Sequence, residues 1–263
     1  MNPTDIAAEM LRLQREAFAP AKKIEGGLTN DSWLVRADDT AIVVRLSNRA
    51  TEALQIDRES EAVVLNAVAR AGIGPPVLVC APDRHLLITQ HLAGATWTAR
   101  DARTPENITR VAALLRELHA LPIPEGVRKI DLNAIVRGYW NTLLGRGIAA
   151  GAGSAKTRTR ALATIESLQG DAASCLCHND VHHLNIIDDG KLWLVDWEYA
   201  GSGDPYFDLA SVCCYHTYSD VQRRQLLTEY LGHGKPATFD RLQRMCWVFN
   251  YIRELWFAVR EME

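Results

Sequence analysis

Long apolar runs are missing from this sequence of 263 residues. No stretch approaches the roughly 18 consecutive apolar residues that a membrane-spanning helix needs. The first residues carry Asp5, Glu9, Arg12 and Arg15 at helical intervals, where a secretion signal would have an apolar core. We therefore expect a cytoplasmic protein with no membrane insertion.

An excess of positive charge is missing as well. The 29 Lys and Arg residues face 32 Asp and Glu residues, which gives a formal net charge of −3. A chain with this balance has no general electrostatic field that attracts polyanionic nucleic acid. We expect no nucleic-acid partner, and any phosphate-binding site has to be local.

The cysteine spacing fits neither a disulfide framework nor a zinc site built from paired C-x-x-C motifs. The six residues form C-x-C and C-C spacings instead: Cys80, Cys175, Cys177, Cys213, Cys214 and Cys246. Cys175, Cys177 and His178 are conceivable metal ligands, but a fourth ligand at a plausible spacing is lacking. The favoured interpretation is that the cysteines are reduced thiols and that Cys175 and Cys177 are buried as small apolar side chains.

The composition is that of a globular protein, with 48% hydrophobic and 23% charged residues, and the length suits one large domain or two modest lobes. In the first ninety residues, β-branched and aromatic runs between turn residues predict antiparallel strands over 32–36, 41–46, 77–80 and 85–90. Helical spacing of apolar residues predicts helices over 5–18 and 51–71.

Helical spacing dominates the sequence beyond residue 94. It predicts helices over 105–121, 131–144, 157–168 and 239–262. A short hairpin is predicted from its apolar runs at 184–187 and 192–195, and the Gly- and Ala-rich segment 145–154 is the predicted flexible connector. The expected fold class is α+β, with a small antiparallel-sheet lobe over 1–92 and a larger, mainly helical lobe over 93–263.

The densest polar cluster of the sequence surrounds the predicted hairpin. His178, Asp180 and Asn185 lie at its start, and Asp196 follows its second strand. Because the two ends of a hairpin return to the same edge, Asp180, Asn185 and Asp196 can converge. A carboxylate that accepts a proton, beside a carboxylate and an amide oxygen that hold a hard cation, suits Mg²⁺-assisted phosphoryl transfer. The alternative is a set of turn-forming Asp and Asn residues on a surface hairpin.

Several segments resemble one family. HNDVHHLN, LVDWEYAG and DPYFDLA closely resemble the catalytic segment of the choline and ethanolamine kinase family, within the aminoglycoside-phosphotransferase and protein-kinase-like superfamily. GGLTN, VVRL and residues 57–75 resemble further parts of that family, in the same order. The resemblance spans nearly the whole chain and implies a two-lobed, protein-kinase-like fold with ATP in the interlobe cleft.

This resemblance implies roles for the polar cluster. Asp180 is expected to be the catalytic base for the acceptor hydroxyl, while Asn185 and Asp196 hold Mg²⁺ that bridges the phosphates of ATP. His178 and Asp208 are expected to brace the loop through hydrogen bonds. A non-catalytic nucleotide-binding or scaffold protein of this fold is disfavoured, because all three of the principal residues are present.

The resemblance also makes GGLTN the turn over the phosphates. Gly27 would let the backbone approach the nucleotide, and Thr29 and Asn30 can donate hydrogen bonds to phosphate oxygens. The same pentapeptide also fits an ordinary tight turn.

Arg45 stands on the strand where a protein kinase carries Lys, which resembles the choline kinase arrangement. It offers a permanent charge and a planar fork to phosphate oxygens. The family spacing selects Glu61 over Glu59 as its partner, and the alternative is a surface Arg on an edge strand. Gln90 and Leu92 lie in a segment that resembles the interlobe hinge, where backbone groups would contact adenine.

The acceptor implied by the resemblance is a cationic alcohol, choline or ethanolamine. Aromatic faces with a nearby carboxylate attract such an ammonium group, and Glu198, Tyr215 and Trp256 are the predicted acceptor residues. Trp247 and Tyr251 have the helical spacing that is more typical of packing.

Other acceptors stay open. A second Trp expected upstream of Trp256 is absent, and Arg253 stands in that region. The segment DWEYAGSGD also resembles bacterial thiamine kinases, whereas acidic residues such as Glu198, Asp204 or Asp220 would suit an aminoglycoside. We therefore order the acceptors as choline or ethanolamine, then thiamine, then an aminoglycoside, and leave the oligomeric state open. A protein kinase is disfavoured because no activation segment follows Asp196.

Overall fold

The N-terminal region is built on a five-stranded antiparallel sheet. The computed structural model describes residues 2–25, 29–37, 40–47, 53–147, 155–169, 173–232 and 236–261. The sheet has the spatial order β1-β2-β3-β5-β4 and consists of β1 (Lys22–Ile24), β2 (Asn30–Ala37), β3 (Thr40–Ser47), β4 (Val77–Ala81) and β5 (Leu86–Gln90). The four predicted strands are confirmed. Strand β1 escaped prediction because its three residues are all exposed and carry no apolar pattern.

Two helices accompany the sheet, and a side-chain cap sets where each begins. Helix α1 (Pro3–Leu11) begins after Asn2, whose side chain accepts a backbone N–H of the first turn. It ends at Arg12, which has a φ of 55°, so the predicted helix over 5–18 was too long. Helix α2 (Arg58–Arg70) begins after the capping residue Asp57, so the predicted start at residue 51 was too early.

The C-terminal region is mainly helical. Its described helices are α3 (Pro105–His119), α4 (Leu132–Gly145), α5 (Ala155–Leu168), α6 (Pro205–Tyr215), α7 (Asp220–Leu231) and α8 (Pro236–Arg260). Four of them match the predicted helices to within a few residues. Helix α6 escaped prediction because it is buried on nearly all sides and lacks an amphipathic period.

Short strands position the polar cluster at the boundary with the N-terminal region. Strands β6 (Ala95–Thr96), β8 (Ile186–Asp188) and β9 (Leu192–Leu194) form one sheet, and β7 (Cys175–Cys177) pairs with β10 (Gly201–Gly203). The predicted hairpin is confirmed as β8 and β9, with Gly190 in the turn at a φ of 103°. This is the predicted α+β arrangement of sheet and helices.

The buried apolar residues form two clusters. The smaller one joins α1 to the sheet and includes Ile6, Val35 and Val44. The larger one joins Val64 and Val68 of α2 to the helices of the C-terminal region. Helix α2 therefore shares its core with the C-terminal region, and the boundary at residue 92 stays a prediction.

Arg128 connects the two regions through several hydrogen bonds. Its guanidinium donates to the carbonyl oxygen of Gln55 at 2.5 Å and to that of Ala200 at 3.1 Å. Its backbone N–H donates to the hydroxyl of Ser60 at 2.9 Å. These bonds attach the start of α2 to the segment that precedes β10.

Three further predictions concern composition and connectors. No helix within the described ranges is long and apolar enough to cross a membrane. All six cysteines are free thiols, as predicted, and five of them are buried, including Cys175 and Cys177, for which burial was predicted. Most of the predicted connector over 145–154 lies outside the described residues.

Candidate active site

The loop between β7 and β8 carries the predicted catalytic residue and is held from two sides. Asp208, in the first turn of α6, accepts the backbone N–H groups of His178 at 2.9 Å and Asn179 at 2.6 Å. Nδ1 of His178 accepts the N–H of Asp180, and Nε2 donates to the carbonyl of Val195 at 3.0 Å. Burial lowers the pKa of His178, which favours the neutral ring that this pattern requires. The bracing expected of His178 and Asp208 is present.

The hairpin places Asp180, Asn185 and Asp196 along one edge. Nδ2 of Asn185 donates to the backbone carbonyl of Asp180 at 3.0 Å and to its Oδ2 at 3.3 Å. The backbone carbonyl of Asn185 accepts the N–H of Val195 at 3.0 Å, so Asp196 is the next residue along that strand end. With Nδ2 used in this way, Oδ1 of Asn185 has no hydrogen bond to any described residue.

Asp180 is held by two side chains from the C-terminal region. The hydroxyl of Tyr215 donates to Oδ1 at 2.7 Å, and Nε2 of His182 lies 3.4 Å from Oδ2. Burial alone would raise the pKa of Asp180, but the hydrogen bond and charge of His182 and the hydrogen bond of Tyr215 lower it. The carboxylate is therefore ionised at neutral pH.

Asp196 lies at a sharp turn of the chain, with a φ of 64°. Its Oδ1 is 3.3 Å from a guanidinium nitrogen of Arg45, which reaches across from β3. Burial and the nearby Glu198 carboxylate raise the pKa of Asp196, and Arg45 opposes this rise. A cation beside Asp196 would relieve the same repulsion.

Arg45 and Glu61 form the predicted ion pair. Their charged groups are 2.7 Å apart, and the two side chains are only 11% and 3% exposed. Arg58, one turn before Glu61 on α2, approaches the same carboxylate at 2.7 Å. Burial would raise the pKa of Glu61, but the two guanidinium groups outweigh it and lower the pKa. The pair connects β3 to α2 beside Asp196.

Glu198 lies with the predicted nucleotide residues rather than with the predicted acceptor aromatics. Thr29 donates to one of its carboxylate oxygens at 2.6 Å, and Asn30 donates to the other at 2.8 Å. Arg58 approaches that second oxygen at 3.2 Å. Both oxygens of Glu198 are thus engaged by N-terminal groups, so this contact joins the two regions.

The other predicted nucleotide residues lie at the margin of the sheet. Gln90 ends β5 with an exposed side chain, and its N–H donates to the carbonyl of Pro76 at 2.9 Å. Leu92 is half-buried, in the segment that leads from β5 to β6. Gly27 lies outside the described residues. The adenine and phosphate contacts of these residues stay predictions.

The predicted acceptor aromatics lie on or against α8. Tyr215 ends α6 and contacts Asp180, as described above. Trp256 donates from its indole N–H to the hydroxyl of Tyr199 at 2.7 Å. Trp247 stacks with Tyr251, whose hydroxyl accepts a hydrogen bond from a buried Trp of α4, so the packing predicted for this pair is confirmed.

Sequence reasoning missed two side chains of the site, Arg58 and His182. Arg58 joins Glu61 to Glu198, and its i, i+3 spacing from Glu61 on a helix was the available signal. His182 lies beside Oδ2 of Asp180, two positions along the same loop. Its proximity to the carboxylate depends on the turn of that loop, which the sequence pattern does not specify.

The chain is similar to known proteins over most of its length. The phosphotransferase enzyme family matches residues 20–244 of the chain. Probable choline kinase 2 of Arabidopsis thaliana is 26% identical over 251 residues, which cover 83% of this chain and 70% of that protein.

Solved structures share the fold over almost the whole chain. A choline/ethanolamine kinase family protein from Mesorhizobium loti has a TM-score of 0.77 at 25% identity, and the match covers 99% of this chain and 87% of that one. LicA in complex with AMP has a TM-score of 0.81 at 19% identity, and the match covers 98% and 90%. The predicted protein-kinase-like fold is confirmed, and the relatives support a small-molecule kinase that uses a nucleotide. The chain belongs to the phosphotransferase enzyme family, with choline and ethanolamine kinases among its relatives.

Proposed function

We propose that this protein transfers the γ-phosphate of ATP to the hydroxyl of a cationic amino alcohol, choline or ethanolamine, with the help of Mg²⁺. The observation that carries the proposal is the edge formed by Asp180, Asn185 and Asp196, with Arg45 reaching it from the sheet. These groups combine a proton acceptor, two oxygen ligands for a hard cation and a fixed positive charge. Phosphoryl transfer needs each of them.

Asp180 is the proposed base. The acceptor oxygen forms a bond to the γ-phosphorus, the bond from that phosphorus to the bridging oxygen of ADP breaks, and the hydroxyl proton passes to Asp180. The lowered pKa of Asp180 keeps it ionised and ready to accept a hydrogen bond from the hydroxyl. Tyr215 and Asn185 hold the carboxylate in place, which limits the reorganisation that transfer requires.

The ligand set fits Mg²⁺ by its chemistry. Asn185 has a free Oδ1 because its Nδ2 donates to Asp180, and Asp196 has a carboxylate whose pKa is raised by burial and by a neighbouring carboxylate. Hard cations prefer carboxylate and amide oxygens of this kind. When bound, the ion would supply positive charge against the phosphates, and Asn185 and Asp196 would hold it.

The remaining predicted residues divide between nucleotide and acceptor. Arg45 would orient phosphate oxygens from β3, steadied by Glu61. The segment that contains Gly27, Thr29 and Asn30 would cover the phosphates, and the backbone at Gln90 and Leu92 would contact adenine. Tyr215 and Trp256 would form the acceptor side, in a cytoplasmic enzyme, and Glu198 would hold Thr29 and Asn30 on the nucleotide side.

An ADP-release assay over choline, ethanolamine, thiamine and an aminoglycoside panel tests this proposal. We expect Mg²⁺-dependent ADP release with an amino alcohol, and a loss of about 10² to 10⁴ in kcat for Asp180→Asn, the range for removing a general base. ATP affinity of that variant should change little, because Asp180 is assigned to the acceptor. Wild-type kcat in Asp180→Asn would remove it from the base role, and acceptor-independent ATP use alone would contradict the kinase assignment.

A further inference from the structure

Arg253 on α8 lies one aromatic ring away from the proposed base. Its guanidinium carbon is 5.2 Å from the centroid of the Tyr215 ring and 5.9 Å from that of Phe249. The hydroxyl of the same Tyr215 ring is 2.7 Å from Oδ1 of Asp180. Arg253 is therefore within the reach of a small acceptor whose hydroxyl lies at Asp180.

The charge of Arg253 is not balanced by a carboxylate. Among the described residues, no Asp or Glu forms an ion pair with it, whereas Arg241 and Arg244 on the same helix pair with Asp204 and Asp240. The acidic groups of the site are already held by others. Glu198 is held by Arg58, Thr29 and Asn30. Asp180 is held by Tyr215 and His182. A half-buried guanidinium with no acidic partner can form charge-assisted hydrogen bonds with an incoming oxyanion.

The aromatic faces near the site are already covered by positive charge. Arg253 covers Tyr215, and the guanidinium carbon of Arg260 lies 5.7 Å from the Trp256 ring centroid. An ammonium group that approaches either ring at these faces meets a like charge and has to displace it. A carboxylate at the same place meets an attractive charge instead.

We propose that Arg253 binds a carboxylate of the acceptor, so that the preferred acceptor is an amino alcohol that also carries a carboxylate. This inference rests on the proposed kinase activity. It changes the preferred acceptor from choline or ethanolamine, which are cationic, to an amino alcohol that is zwitterionic. The planar fork of Arg253 matches the two oxygens of a carboxylate, which Lys does not.

Matched acceptor pairs test this assignment. L-serine is ethanolamine with a carboxylate added, and L-carnitine carries a carboxylate that choline lacks. We expect the wild-type kcat/KM to be about tenfold or more higher for the carboxylated member of at least one pair, the size expected for a charge-assisted contact. Arg253→Met should abolish this preference, Arg253→Lys should retain part of it, and the KM for ATP should stay unchanged in both.

Glu254→Gln is the matched control, because Glu254 is the exposed neighbour of Arg253 on the same helix. It should keep the wild-type preference. The proposal is overturned if wild type prefers ethanolamine and choline, if the preference survives in Arg253→Met, or if that variant changes only the KM for ATP.

Calorimetric binding of L-serine and ethanolamine separates this proposal from the proposed function. If no acceptor releases ADP, the kinase assignment fails, yet tighter L-serine binding that is lost in Arg253→Met still supports the carboxylate site. If ADP is released but neither binding nor kcat/KM favours the carboxylated acceptors, the carboxylate site alone fails. Thermal unfolding of each Arg253 variant verifies that it is folded.

Discussion

Acidification should destabilise the loop between β7 and β8 through His216. This residue is 2% exposed at the end of α6, where its Nε2 accepts the backbone N–H of His183 at 3.1 Å and its Nδ1 lies 2.8 Å from the carbonyl oxygen of Val212. This pattern requires a neutral ring that carries its proton on Nδ1. Burial is the main cause that lowers the pKa of His216 from 6.5 to about 4. The hydrogen bond to the carbonyl of Val212 opposes this decrease, and the charges of His183, His182 and Arg103 add to it.

The direction of the pH effect follows from where the proton binds. Between pH 6.5 and about 5 the unfolded chain takes up a proton at this residue while the folded chain does not, so stability falls with pH. The loss is about 1.4 kcal/mol per pH unit, which gives about 2 kcal/mol at a pH of about 5. This contribution to stability is fully present above 6.5, the pKa of His216 in the unfolded chain. It is lost as the pH falls towards about 4, the pKa of His216 in the folded chain.

Urea unfolding of wild type and His216→Gln at neutral pH and at a pH of about 5 measures this effect. Gln offers an acceptor for the N–H of His183 but does not titrate. We expect wild type to lose about 2 kcal/mol more than the variant on acidification, since both share the other titrating groups. Equal losses in the two proteins would refute the reasoning. We also expect the His183 amide to exchange its hydrogen faster at low pH in wild type but not in the variant, because this amide donates to His216.

Two further predictions concern the charged groups between the sheet and the loop. Glu61→Gln breaks two ion pairs of 2.7 Å and should cost about 3–5 kcal/mol of stability, whereas the exposed Glu59→Gln should cost little. Chemical denaturation compares them, and equal free energies of unfolding would contradict the assignment. Asp196→Asn should remove the Mg²⁺-dependent part of ATP binding, as measured by calorimetry with and without the ion. If Mg²⁺ strengthens ATP binding by the same factor in Asp196→Asn as in wild type, Asp196 is not a ligand of the ion.

The parts of the site that the sequence predicts are local ones. The hairpin of β8 and β9 follows from two apolar runs around an Asp-Gly turn, and it brings Asp180, Asn185 and Asp196 to one edge. The pairing of Arg45 with Glu61 over Glu59 required the family spacing in addition, because either glutamate lies on the first turn of α2.

The parts that escaped prediction depend on how distant segments dock. Glu198 was assigned to the acceptor, yet Thr29 and Asn30, 169 and 168 positions away, hold both of its oxygens. No pattern within either segment signals this contact. The strands β7 and β10 have three residues each, which is too short for a period of two to be recognised.

Helix α2 is held by the C-terminal region as well as by the sheet. Its apolar face is shared with the larger core, and Arg128 anchors its first turn to the main chain near β10. We expect a shift of the sheet relative to the C-terminal region to change the Arg45–Glu61 contact, because Arg45 lies on β3 and Glu61 lies on α2. A spectroscopic probe pair placed on β3 and α2 would report such a shift when a nucleotide binds, whereas we expect a pair placed on α2 and β10 to stay at constant distance.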